Sequence, residues 1–68
     1  MRQVSKNKNR IAWEDGSNYL TAEVARADDE RSLQVVFDTD GYPGLTAAQA
    51  RTLAAWLLKA AERMEDNT

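Results

Sequence analysis

Apolar and polar residues alternate with a period of two from Arg10 to Asp38, and with a period near 3.6 from Thr46 to Met64. In the first stretch Ile11 and Trp13 fall on one side, with Ala12 and Glu14 on the other. Asp15-Gly16-Ser17-Asn18 carries turn chemistry, because Gly16 can take positive φ without a Cβ clash. Leu20, Ala22 and Val24 then alternate with Tyr19, Thr21, Glu23 and Ala25. After a charged turn at Asp28-Asp29-Glu30-Arg31, Leu33, Val35 and Phe37 alternate with Gln34, Val36 and Asp38. Three short runs with short connections predict an antiparallel meander. Its buried face comprises Ile11, Trp13, Leu20, Ala22, Val24, Leu33, Val35 and Phe37.

Thr39-Asp40-Gly41-Tyr42-Pro43-Gly44 breaks the strand period and turns the chain. The helix signal that follows is the strongest in the sequence. Thr46 and Gln49 are spaced for a capping box, and Leu45 can pack on Ala50 as a hydrophobic staple. Good helix formers continue to Met64 without Gly or Pro. Ala50, Leu53, Ala54, Leu57, Ala60, Ala61 and Met64 form a stripe centred on Leu57, with Trp56 and Leu58 on its two flanks. The expected fold is therefore α+β over residues 10–68, a three-stranded antiparallel meander on one C-terminal helix (β-β-β-α). Residues 1–9, MRQVSKNKN, show no sustained period and predict a flexible basic arm.

At 68 residues the chain makes one domain, and a core of that size rarely supplies more than about 3–5 kcal/mol. With no cysteine, disulfides and thiolate metal sites are excluded; with no histidine, imidazole ligands and the commonest general base are missing. Self-association is the compensation that remains. Charge is unevenly placed. Residues 1–10 hold Arg2, Lys6, Lys8 and Arg10 without an acid, whereas the rest holds five bases against eleven acids. No apolar run approaches the roughly 20 residues that span a bilayer, and no hydrophobic stretch follows the N-terminal charges, so a cytoplasmic address without membrane contact is expected.

Catalytic constellations are lacking. An EF-hand loop starting at Asp38 needs glycine and glutamate where Pro43 and Gln49 stand. Ser5, Ser17 and Ser32 have no histidine to activate them, and the three glycines are scattered among turns rather than gathered in a phosphate loop. No enzyme and no cofactor are expected. A three-stranded sheet on one helix resembles the DNA-reading module of some phage integrases, whose open sheet face enters the major groove. Here that face would carry Glu14, Glu23 and Asp38, which repel phosphates. Nucleic-acid contact would fall to the arm, through Arg2, Lys6, Lys8 and Arg10. The acidic body suggests instead an inhibitor that imitates DNA.

The stretch Leu45 to Ala61, LTAAQARTLAAWLLKAA, resembles small actinobacterial and actinophage proteins in which a short sheet leads into such a helix. The resemblance spans residues 33–62 and implies a phage or actinobacterial accessory protein. Trp56 departs from the small or aliphatic residue usual at its place. The sequence thus points first to a non-catalytic accessory or regulatory protein that contacts a host or phage protein and forms a homodimer. Trp56, Leu58, Tyr19 and Val36 are the residues expected at the contact between copies, because one helix covers only one sheet face.

Overall fold

Four strands form one antiparallel sheet in the order β1-β2-β3-β4, one more than the alternation predicts. The computed structural model describes residues 1–27 and 32–66, so the turn expected at 28–31 lies outside the described residues. The strands are β1 (Arg2–Lys6), β2 (Arg10–Asp15), β3 (Asn18–Arg26) and β4 (Leu33–Asp40), and the helix α1 runs Ala47–Asp66. The extra strand is β1, which replaces the flexible arm expected over residues 1–9.

A strand forms in that polar segment because its backbone finds partners on β2. Gln3 pairs with Trp13 and Lys6 with Ile11, while Arg2 pairs with Glu14 and Ser5 with Ala12. The register slips between Gln3 and Ser5, which makes Val4 the extra residue of a β-bulge. Asn7 closes the hairpin. Its Oδ1 accepts from the amides of Asn9 (2.8 Å) and Arg10 (3.0 Å), and its own amide donates to Arg10 O at 2.9 Å. Between β2 and β3, Gly16-Ser17 makes a two-residue loop with Gly16 at φ 60°, the sign that primed hairpin turns require. After β4, Gly41 at φ 73° sits so close to Asn18 that a Cβ would collide with the Asn18 side chain.

The helix begins as expected. Thr46 N donates to Gln49 Oε1 at 3.0 Å and Gln49 N to Thr46 Oγ1 at 3.2 Å, completing the capping box. Leu45 packs against the core cluster, while Ala50, its expected staple partner, is exposed.

The core gathers Ile11, Trp13, Ala22, Trp56 and Ala60, with Leu20, Val24, Val35, Leu53 and Leu57 packed around them. The buried stripe of α1 is therefore turned toward Trp56 by about half of the 100° step between neighbouring residues. Ala50 and Ala54 emerge into solvent as a result. Trp56, expected at a contact between copies, is instead only 6% exposed within its own chain. Ala12, expected on the uncovered side, is buried between its neighbours Ser5 and Thr21.

What rotates the helix is a set of three anchors spaced seven residues apart. Gln49 Nε2 donates to Met1 O, Trp56 Nε1 to Asn7 O at 2.7 Å, and Arg63 Nη1 to Lys8 O at 2.6 Å. Seven residues are nearly two helical turns, so all three project from one line along α1. From Gln49 to Arg63 the helix rises about 21 Å. From Met1 to Lys8 an extended chain covers about 23 Å. The helix side chains are tied to the backbone at both ends of β1, while the helix's own backbone also approaches that of β4. Phe37 on β4, expected in the core, stays 51% exposed although its row of the sheet faces the helix, whereas Val35 on the same strand packs against the core cluster.

Candidate functional site

Two surfaces stand out among the described residues. The first is the outer edge of β4. Val24 N donates to Asn9 O, so even-numbered residues of β3 turn their backbone groups toward β2 and odd-numbered ones toward β4. Ala27 N donates to Ser32 O, which extends the same parity across to β4. Gln34, Val36 and Asp38 therefore bond to β3, and Leu33, Val35, Phe37 and Thr39 present their N–H and C=O groups to the free edge. The strand pairs with β3 in continuous register from Leu33 to Asp40, with no bulge, no proline and no base along it. Val36 is 43% exposed on one face and Phe37 half-exposed on the other.

The opposite edge of the sheet differs. There β1 is five residues long, carries Arg2 and Lys6, and is broken by the bulge at Val4. Those are the devices that discourage pairing with another chain. The β4 edge has acids at one end only, Asp38 and Asp40.

The second surface is a cleft of about 350 Å³ where the β1–β2 turn meets the C-terminal half of α1. Lys6 and Lys8 approach it from the hairpin, Lys59 and Arg63 from the helix, and Trp56 and Ala60 line its floor. Among the described residues no acid lines it. Of the four bases expected to act together as an arm, Arg2 and Arg10 are diverted to the other side of the sheet. Arg2 pairs with Glu14 at 2.8 Å and Arg10 with Glu23 at 3.6 Å. Among the described residues neither Lys6, Lys8 nor Lys59 has an ion-pair partner.

The face of the sheet away from the helix is acidic. Tyr19 donates its hydroxyl to Asp38 Oδ1 at 3.2 Å, and that hydrogen bond, with the nearby charges of Asp38 and Asp40, raises its pKa above the ordinary 10.0. Of the residues expected at a dimer contact, Tyr19 and Val36 share this face on adjacent strands. Leu58 is 69% exposed on α1 but lies on the other side of the sheet, and Trp56 is buried. The four do not form one patch. Among the described residues no group of three or more His, Cys, Asp or Glu side chains converges to hold a metal ion, and no helix is long and apolar enough to cross a membrane.

Compared with known proteins, the chain matches no family model, no curated relative and no solved structure. Function must be argued from the two surfaces themselves. Sequence reasoning missed both as units: the lysine pair was visible, but its meeting with Lys59 and Arg63 depends on β1 being a strand. The β4 edge carried a signal in Val35-Val36-Phe37, three consecutive apolar residues in a strand where one face should be polar.

Proposed function

We propose that this chain is a non-catalytic interaction protein that works as a homodimer joined through β4. The observation that supports the reading is the unpaired, unbulged β4 edge with Val36 and Phe37 exposed on its two faces. Antiparallel pairing about a two-fold axis at Val36 sets Val36 against Val36 of the partner subunit. It sets Val35 against Phe37 of the partner subunit, and Leu33 against Thr39 of the partner subunit. In that register all four outward-facing residues of each strand lie opposite one another, which allows about eight backbone hydrogen bonds. Other registers of the same parity pair fewer of them.

Charge favours the same register. Asp38 stands opposite Gln34 of the partner subunit, whose amide can donate to it, and no acid opposes an acid. Parallel in-register stacking would align Asp38 with Asp38 and Asp40 with Asp40, at a cost for each pair. The edge is therefore suited to a closed pair rather than a fibre. The result is an eight-stranded sheet with both helices on one face. Partner proteins would then meet a surface doubled by symmetry.

The self-opposition of Val36 provides the test. Val36→Lys and Val36→Asp each place like charges face to face and should each sediment as monomers. Mixed in equal amounts, they should recover the dimer mass seen for the unaltered protein. Unaltered protein that stays monomeric at high micromolar concentration, or a mixture that stays monomeric, contradicts the proposal.

A further inference from the structure

We infer that two copies joined at β4 also meet through their helices, the flank of α1 that carries Ala54 and Leu57 packing on the same flank of the partner's helix above Phe37. This rests on the β4 pairing proposed above and adds a second surface to it. A strand edge alone makes a thin contact. The eight residues of β4 extend about 27 Å and a sheet layer is about 10 Å thick, so the edge offers about 270 Å² on each subunit. Stable interfaces bury about 600–1,000 Å² on each side. The remainder has to adjoin the edge.

On the helix side of the sheet an apolar surface does adjoin it. Thr52, Ala55 and Lys59 face the β1–β2 turn across the basic cleft, so the opposite flank of α1 faces β4. At 100° per residue that flank carries Ala50, Leu53, Ala54, Leu57, Ala61 and Met64, with no polar residue in the row. Leu53 and Leu57 are only partly buried on the core, and Ala54 is exposed. The backbone of α1 approaches β4 here, and Phe37 stands beside it, half-exposed on the helix side.

The level of the two-fold axis determines which part of the flank meets its copy. Val36, on the axis, shares its row with Glu23 and Arg10. The Asn7 amide donates to Arg10 O, and Asn7 O accepts from Trp56 Nε1. Trp56 therefore sits at the level of the axis, and Leu57 lies one step round the helix, on the β4 flank. A two-fold axis there sets Leu57 near Leu57 of the partner subunit, with the two helices antiparallel. Ala54 and Ala61, a turn to either side, let the helices approach to the 8–10 Å usual for packed pairs. Phe37 then lies beneath both helices and beside Val35 of the partner subunit, covered by the second copy.

Single-cysteine variants of the full chain test each contact separately, because the chain has no cysteine of its own. Val36→Cys probes the strands: opposed residues of a non-hydrogen-bonded pair lie about 4.5 Å apart, within disulfide reach. Ala54→Cys and Ala55→Cys are adjacent and exposed, and they place a thiol on the two opposite flanks of α1. Val36→Cys should oxidise to a covalent dimer. A short bismaleimide should link Ala54→Cys into dimers and leave Ala55→Cys monomeric on a denaturing gel. Circular dichroism melts verify that each variant is folded. If Val36→Cys dimerises and Ala54→Cys does not, or if both alanine positions link equally, the helix contact is wrong and the strand pairing stands. Linkage at Ala54→Cys alone would place the dimer on the helices and overturn the pairing. No linkage at either position removes both.

Discussion

Trp56→Phe isolates one bond on which the helix orientation depends. The substitution keeps an aromatic ring in the core and removes the indole N–H that donates to Asn7 O at 2.7 Å. Asn7 O then loses its helix partner in a partly buried place. Losing such a bond costs about 1–2 kcal/mol. In a domain of this size each kcal/mol moves the melting temperature by about 4–8 °C, so a fall of about 4–16 °C is expected. Trp56→Ala removes the ring as well, at about 3–5 kcal/mol. That equals the whole stability a core of this size rarely exceeds, about 3–5 kcal/mol, so the alanine variant should be unfolded at room temperature. Thermal melts by circular dichroism give the first number. The indole N–H resonance of Trp56 should also exchange slowly with solvent in the unaltered protein. A phenylalanine variant that melts within 2 °C of the parent, or a folded alanine variant that merely loses its dimer, would refute the placement of Trp56.

Deleting residues 1–9 should abolish cooperative unfolding, because it removes an edge strand and all three carbonyls that hold α1; an unchanged melt would mean the segment is an arm after all. Thr46→Ala should cost about 1 kcal/mol through the lost cap, and Gln49→Ala more, since Gln49 also donates to Met1 O. The Tyr19 hydroxyl bond to Asp38 contributes stability below pH 10 and loses it as pH rises through the raised folded value. In a Tyr42→Phe background, ultraviolet titration should show Tyr19 ionising above 10.0, and Asp38→Asn should lower that midpoint.

The parts of this fold that were legible share one property: side chains carry them. Alternation in Ile11–Trp13, Leu20–Val24 and Leu33–Phe37 marked three strands, and Thr46 with Gln49 marked the helix start. β1 was hidden because its attachment is made by backbone. Its rows facing the helix hold Gln3 and Lys6, its one valine sits at the bulge, and its ties to α1 are carbonyl oxygens. The Asn7-Lys8-Asn9 turn was the available clue, and it needed a strand on each side to be read. The helix azimuth differs from the one its apolar positions predict for a related reason. Counting apolar positions centres the stripe on Leu57, whereas one large indole with a donor to satisfy draws the helix toward Trp56. Alternation also assigned Phe37 to a face without saying how fully that face is covered at each row. The basic cluster depends on both features, since Lys6 and Lys8 meet Lys59 and Arg63 only when β1 is paired and α1 is turned.

The claim that β4 is the joining edge is tested most directly at its own amides. In isotopically labelled protein, the Val36 and Asp38 amides bond to β3 and should exchange slowly at any concentration. Among the described residues the amides of Leu33, Val35, Phe37 and Thr39 have no partner. They should be protected at high protein concentration and lose that protection on dilution and in Val36→Lys. Fast exchange of those four at every concentration, with Val36 and Asp38 still protected, would show that nothing pairs with this edge.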